Sequence, residues 1–158
     1  MGSNEGDRVE ALRKAVRLIL EKIGKIVTSS SVYETEPWGF DAEQEFLNVV
    51  IKVQTSLLAD EIMEKILIIE ESMGRIRGAN KYESRIIDID ILFYGSEVIH
   101  SKNLRIPHPL IEERRFVLVP LSEIAGKYTH PLLNRTVADL LSNCIDNKKV
   151  IRKMNKLS

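Results

Sequence analysis

From Asp7 to Lys22 the apolar residues Val9, Leu12, Val16, Ile19 and Leu20, continued by Ile23, fall at helical spacing, and Gly24 follows them. This pattern predicts one amphipathic helix stopped by a glycine. Lys25 to Glu34 is rich in Val, Ser, Thr and Tyr and predicts a strand. Glu36-Pro37-Trp38-Gly39-Phe40 breaks that pattern and opens a loop to about Glu43. Phe46 to Thr55 alternates and predicts a second strand. Ser56 or Asp60 is placed to cap the next helix, which runs to Met73 with Ile62, Ile66, Ile69 and Met73 inward, and Gly74 ends it.

Gly74 to Ser84 holds almost no apolar residue and predicts an exposed loop. Arg85 to Tyr94 predicts a strand, with Ile86, Ile87, Ile89, Ile91, Leu92 and Phe93. Gly95-Ser96 turns the chain, and Glu97 to His100 is expected to pair back. Pro107-His108-Pro109 forms a stiff elbow. Ile111 to Ile124 is expected to be mostly helical with a break near Pro120, and Val137 to Cys144 to be a last short helix capped by Thr136 or Asn134. The basic tail, Lys148 to Ser158, gets no assignment.

The order is helix, strand, strand, helix, strand. One strand in front would complete βαββαβ, the ferredoxin-like plan, an α+β fold with a largely antiparallel sheet and helices on its faces. On this reading the first strand is missing from the chain, and Met1 stands where the loop after it would begin. A length of 158 residues fits one domain spanning 1–158.

Composition narrows the function. Lys+Arg and Asp+Glu both total 23, so the net charge is zero, which argues against a dedicated nucleic-acid binder. The single cysteine, Cys144, allows no intrachain disulfide and suits a cytoplasmic setting. No apolar run reaches the ~18 residues of a membrane span. The N-terminal residues lack the basic and apolar parts of a signal peptide. The phosphate-binding loop Gly-x-x-x-x-Gly-Lys-Ser/Thr is absent, as are Gly-x-Gly-x-x-Gly, Cys-x-x-Cys and His-Glu-x-x-His.

Four clusters carry candidate chemistry. In Arg85-Ile86-Ile87-Asp88-Ile89-Asp90-Ile91-Leu92, residues two apart on a strand share a face, so Asp88 and Asp90 project together. Paired carboxylates repel, and a divalent cation between them removes that penalty; Mg²⁺ suits such oxygen ligands and completes its shell with water and phosphates. By spacing alone, two aspartates on a solvated outer face are the other reading. Arg75, Arg77, Lys81 and Arg85 surround the polar loop, and arginine forks match phosphate oxygens. Alone, that loop reads as a solubilising segment; beside two candidate metal ligands it reads as an ATP polyphosphate site. His108 between two prolines, followed by Arg114 and Arg115, is either a structural turn or a well-aimed donor to phosphate or sugar. Finally, Thr35, Trp38, Phe46, Asn48 and Phe116 are either core residues or a set that sandwiches a flat heterocycle and reads its edge.

In order along the chain, these segments resemble one family. Gly2-Ser3-Asn4-Glu5-Gly6-Asp7-Arg8, Ser31 through Gly39, Phe46-Leu47-Asn48, Glu70 through Arg77, Arg85 through Leu92, and Pro107-His108-Pro109 with Arg114-Arg115-Phe116 are similar to blocks of the 6-hydroxymethyl-7,8-dihydropterin pyrophosphokinases. The resemblance runs from Gly2 to about Leu141. Where the family often has Trp-Gly-Pro before the signature arginine, this chain has Tyr82-Glu83-Ser84.

The resemblance implies transfer of pyrophosphate from MgATP to the pterin hydroxymethyl group, release of AMP, and a place in folate biosynthesis. It implies that Asp88 and Asp90 hold two Mg²⁺ ions and that Arg75 and Arg85 stabilise the transferring group. Glu70, Arg77, Tyr82, Ile91, His108 and Arg114 would serve the nucleotide. Phe46 and Phe116 would stack the pterin, with Thr35, Trp38 and Asn48 at its edge. The expected partners are small molecules, without nucleic acid or membrane, and the expected state is a monomer or weak homodimer. A ferredoxin-like binding module and a catalytically dead homologue are the rival readings.

Overall fold

The computed structural model describes residues 1–37, 44–75 and 85–157. Its first element, β1 (Gly2–Ser3), is a short strand with both residues buried, where the sequence pattern placed a loop. Helix α1 (Arg8–Lys22) follows. Its N-cap Asp7 accepts the Glu10 backbone N–H at 3.0 Å, satisfying one of the donors a helix start leaves open. Ala11, Leu12, Ala15 and Ile19 make its buried stripe.

Each of the two predicted long strands is in fact bent into two. Lys25 to Glu34 becomes β2 (Lys25–Ser29) and β3 (Val32–Thr35), while Phe46 to Thr55 becomes β4 (Phe46–Asn48) and β5 (Ile51–Gln54). At the bend, Ser30 N–H donates to the Val50 carbonyl at 2.8 Å, and the Ser30 hydroxyl accepts from Val50 N–H at 3.0 Å. The serine side chain takes the place of a ladder partner, so the chain can change sheets without leaving polar backbone unpaired. β2 and β5 then form a separate two-stranded ribbon, and β4 and β3 stay in the main sheet.

Helix α2 (Ala59–Ser72) buries Ile62, Ile66 and Ile69, with Met73 just beyond, as the periodicity predicts. Its cap differs from expectation. Leu58 is the N-cap residue, and the Glu61 carboxylate reaches back to accept Leu58 N–H at 2.7 Å. Gly74 ends the helix at φ +90°, a conformation that favours glycine.

Arg85 to Tyr94, predicted as a strand, alternates as expected: Ile87 and Ile89 are buried while Asp88 and Asp90 point outward. Yet, among the described residues, it makes a single bridge, between Asp88 and Gly2. On the opposite edge of the segment, Ile89 N–H donates to the Glu70 carboxylate at 2.8 Å. Ile99–His100 (β6) does not pair back either; it pairs forward with β7 (Arg105–Ile106) through the tight turn at Ser101 to Leu104.

The Ile106–Pro107 peptide is cis. Helix α3 (Arg115–Ala125) starts four residues later than the apolar pattern suggested and passes through Pro120 without ending. Pro120 is fully buried between Leu118 and Leu121, and tertiary packing outweighs its missing N–H. Helix α4 (Val137–Ser142) is capped by Thr136, which shares a reciprocal box with Asp139. The basic tail, unassigned from sequence, supplies β8 (Val150–Met154).

The main sheet has the order β1-β4-β3-β8, all antiparallel, with the Asp88 segment bridged to the outer side of β1. The largest core cluster joins α1 and α2 to residues of this sheet, with Leu12, Val32, Val49, Ile69 and Ile87 fully buried. A second cluster joins α3 to α4 through Leu118, Leu121, Val137 and Leu140. Among the described residues, no helix is long and apolar enough to cross a membrane.

Candidate active site

A cavity of about 270 Å³ opens where β1, β4, the Asp88 segment and α3 meet. Its two sides differ in chemistry. One is ionic. The Asp88 carboxylate accepts from Arg75 Nη1 at 2.6 Å on one oxygen and from Arg85 Nη1 at 2.7 Å on the other. Arg75 also donates to Glu70, which is 2% exposed and takes the Ile89 N–H on the same oxygen. Burial works against the Arg75 charge, but Asp88 and Glu70 more than offset it, so the guanidinium is held above its usual pKa. Asp90 lies two residues on, exposed on the same side of the segment.

The other side is aromatic. Phe46 and Asn48 come from β4, Thr35 from β3 and Phe116 from α3. Asn48 Nδ2 donates to Thr35 Oγ1 at 2.7 Å, and both residues are buried. That bond leaves the Asn48 carbonyl oxygen aimed by its own amide. Arg114 stands 5.7 Å from the centroid of the Phe116 ring, within cation–π range. His108 Nδ1 accepts the Leu110 N–H at 3.3 Å, which puts the proton of the neutral ring on Nε2.

Such a site combines three carboxylates (Glu36, Asp88 and Asp90), three guanidinium groups and a flat apolar slot with a polar edge. It can hold an anion and a cation on one side and a planar heterocycle on the other. Comparison with known proteins agrees. The family described as 7,8-dihydro-6-hydroxymethylpterin-pyrophosphokinase matches residues 1–126. The chain belongs to this family.

Among individual relatives, the 2-amino-4-hydroxy-6-hydroxymethyldihydropteridine pyrophosphokinase of Aquifex aeolicus is 42% identical over 139 residues, covering 88% of this chain and 86% of its own. The Bacillus subtilis protein of the same name is 42% identical over 125 residues, covering 78% and 74%. A solved structure of Plasmodium falciparum HPPK-DHPS shares the fold with a TM-score of 0.73 at 21% identity. It matches 89% of this chain, which spans 42% of the length of that longer one.

Of the residues picked out from sequence, Thr35, Phe46, Asn48, Arg75, Arg85, Asp88, Asp90, His108, Arg114 and Phe116 all line the cavity. Glu70 lies beneath it and braces Arg75. Ile91 packs against two apolar clusters and is not among the lining residues. Trp38, Arg77 and Tyr82 lie outside the described residues. Sequence reasoning missed Glu36, Val49, Val50, Val117 and Pro120, which also line the cavity. For Pro120 a signal existed: it follows Phe116 by four residues, on the same face of a helix.

Proposed function

We propose that this cavity is the site where pyrophosphate passes from MgATP to 6-hydroxymethyl-7,8-dihydropterin, with release of AMP. As a member of its family the chain is an ATP-dependent pyrophosphokinase of folate synthesis. The observation that carries the site assignment is the meeting of the Asp88–Asp90 pair and its arginines with the Phe46–Phe116 slot in one cavity.

Asp88 and Asp90 fit two Mg²⁺ ions by donor chemistry, since Mg²⁺ commonly takes one or two carboxylates and leaves its other positions to water and phosphate. Bound there, Mg²⁺ supplies charge neutralisation along the triphosphate. Arg75 and Arg85, now held by Asp88, exchange that carboxylate for phosphate oxygens and stabilise the transferring group. Glu70 keeps hold of Arg75 during the exchange. Arg77, His108 and Arg114 bind the nucleotide, with Tyr82 and Ile91 beside it. Phe46 and Phe116 stack the pterin ring, and Thr35, Trp38 and Asn48 read its edge. The pterin alcohol then attacks the β-phosphorus, and AMP leaves. No side chain is assigned as a dedicated general base; a loose transition state needs little early proton removal.

The fold reading is the ferredoxin-like plan. It is supported by the spatial order Asp88 segment, β1, β4, β3, with antiparallel neighbours throughout. We take residues 1–158 as one domain, working in the cytoplasm as a monomer or weak homodimer. The test is nucleotide analysis after mixing the protein with MgATP and 6-hydroxymethyl-7,8-dihydropterin. AMP formed only with both pterin and Mg²⁺ supports the proposal. ADP in its place means ordinary kinase chemistry, and no nucleotide consumption means a non-catalytic role.

A further inference from the structure

Phe116, Pro120 and Glu123 lie at i, i+4 and i+7 on α3, and so form one stripe along the helix. The first two line the cavity. Glu123 is the next position of that stripe, just outside it, and its carboxylate is engaged with Tyr33 of β3 and with Ser31, the residue before that strand. It accepts Ser31 N–H at 2.9 Å, the Ser31 hydroxyl at 3.0 Å and the Tyr33 hydroxyl at 3.0 Å.

The receiving strand is equally tied to the cavity. Tyr33 and Thr35 are two apart on β3 and share a face, the one that α3 covers. Tyr33 is paired with Asn48 in register, and Asn48 donates to Thr35. Ser31 is fully buried, so its N–H and hydroxyl need an acceptor inside the protein. A carboxylate is suited to this point because it accepts on both oxygens and donates on neither.

We propose that Glu123 is a positioning residue for the aromatic half of the site, fixing the wall that carries Phe116 against the wall that carries Thr35 and Asn48. It touches no reacting atom. It sets the width of the slot between α3 and β3, and so the fit of the planar substrate. The Asp88 side of the cavity stands on α2 and the Asp88 segment and does not pass through Glu123. Loss of Glu123 therefore weakens the heterocycle far more than the nucleotide, for which Arg114 at the α3 N-cap is one of several assigned residues and the others stand on other segments.

The inference rests on the pyrophosphokinase reading, and the experiment separates the two. Wild type, Glu123→Gln and Tyr33→Phe are assayed for AMP with each substrate varied in turn. Glu123→Gln presents an amide N–H₂ to one of three donors; it is expected to raise the pterin KM about tenfold, with ATP KM unchanged within about twofold. Tyr33→Phe removes one of the three hydrogen bonds and should shift the pterin KM in the same direction by less. A wild type that makes no AMP overturns both readings. An active wild type with unchanged pterin KM in both variants overturns this inference alone, even if Glu123→Gln lowers the melting temperature. Equal loss of affinity for both substrates also overturns it, because it means general loosening.

Discussion

Gly2 and Asp88 exchange both of their backbone hydrogen bonds, N–H to carbonyl at 2.9 Å and back at 2.8 Å. Through this bridge, joined by Asn4 N–H to the Arg85 carbonyl at 3.2 Å and Arg85 N–H to Asn4 Oδ1 at 2.8 Å, the aspartate-bearing segment is fixed beside β1, and through β1 beside Asn48, with which Gly2 is in register on its other side. The ionic and aromatic sides of the cavity are thus held together across one glycine.

That position leaves no room for a side chain. A Cβ on Gly2 would collide with Asn48 Oδ1, whose amide is already committed to Thr35. Gly2→Ala should destabilise the protein by about 1–3 kcal/mol, the usual range for overpacking. It should also raise the pterin KM by turning the Asn48 amide away. Urea unfolding and steady-state kinetics check the two effects separately.

Asp90 has a different part. It is exposed and its loss leaves the core untouched. Asp90→Ala should lower Mg²⁺-dependent turnover by about a hundredfold or more, comparable to removing one electrostatic contact to a transition state. Its far-UV circular dichroism should match wild type. Normal turnover in this variant removes Asp90 from the metal site.

Arg75 couples stability to chemistry. Arg75→Ala strips Glu70, 2% exposed, of a cationic partner that shares its oxygen with the Ile89 N–H. Removing a charged partner from a buried carboxylate should cost about 1–3 kcal/mol. The rate of the chemical step should fall far more than ATP affinity does. Single-turnover kinetics beside nucleotide binding distinguishes these, and weaker ATP binding with an unchanged rate counts against the assigned role.

Acid should loosen both the sheet edge and the α3 clamp. Lys153 and Arg8 hydrogen bonds, the Lys153 one foremost, hold Glu34 below its ordinary value of 4.5 despite its burial. For Glu123, burial acts upward, but the Ser31 and Tyr33 hydrogen bonds prevail and hold it below 4.5 as well. A carboxyl depressed in the folded state adds stability that is present above its unfolded value and is lost as pH falls through the folded one. Melting temperature should therefore drop below about pH 4.5 more steeply in wild type than in Glu34→Gln. Parallel curves would deny Glu34 a share in the effect.

The helices and most of the candidate site were legible because their signals are local. Asp7 before Val9 and Leu12 announces α1, and Asp88-Ile89-Asp90 puts two carboxylates on one face by the geometry of an extended chain. The order of motifs along the chain identified the family. Where single strands bend at Ser30 and Val50 was not legible, because a serine hydroxyl replacing a ladder bond is a choice between partners distant in sequence. Nor was β8, a basic segment whose strand character comes from pairing with β3.

By itself, then, the sequence determined which residues face inward, which carry charge and which chemistry they can do, since period and residue type act over a few positions. Only the tertiary structure decided that Asp88 leans on Arg75 and Arg85, that Glu70 is buried beneath them, and that Glu123 ties α3 to β3. Those contacts join segments as far as 92 residues apart. They depend on how whole elements pack, and no local pattern encodes that distance.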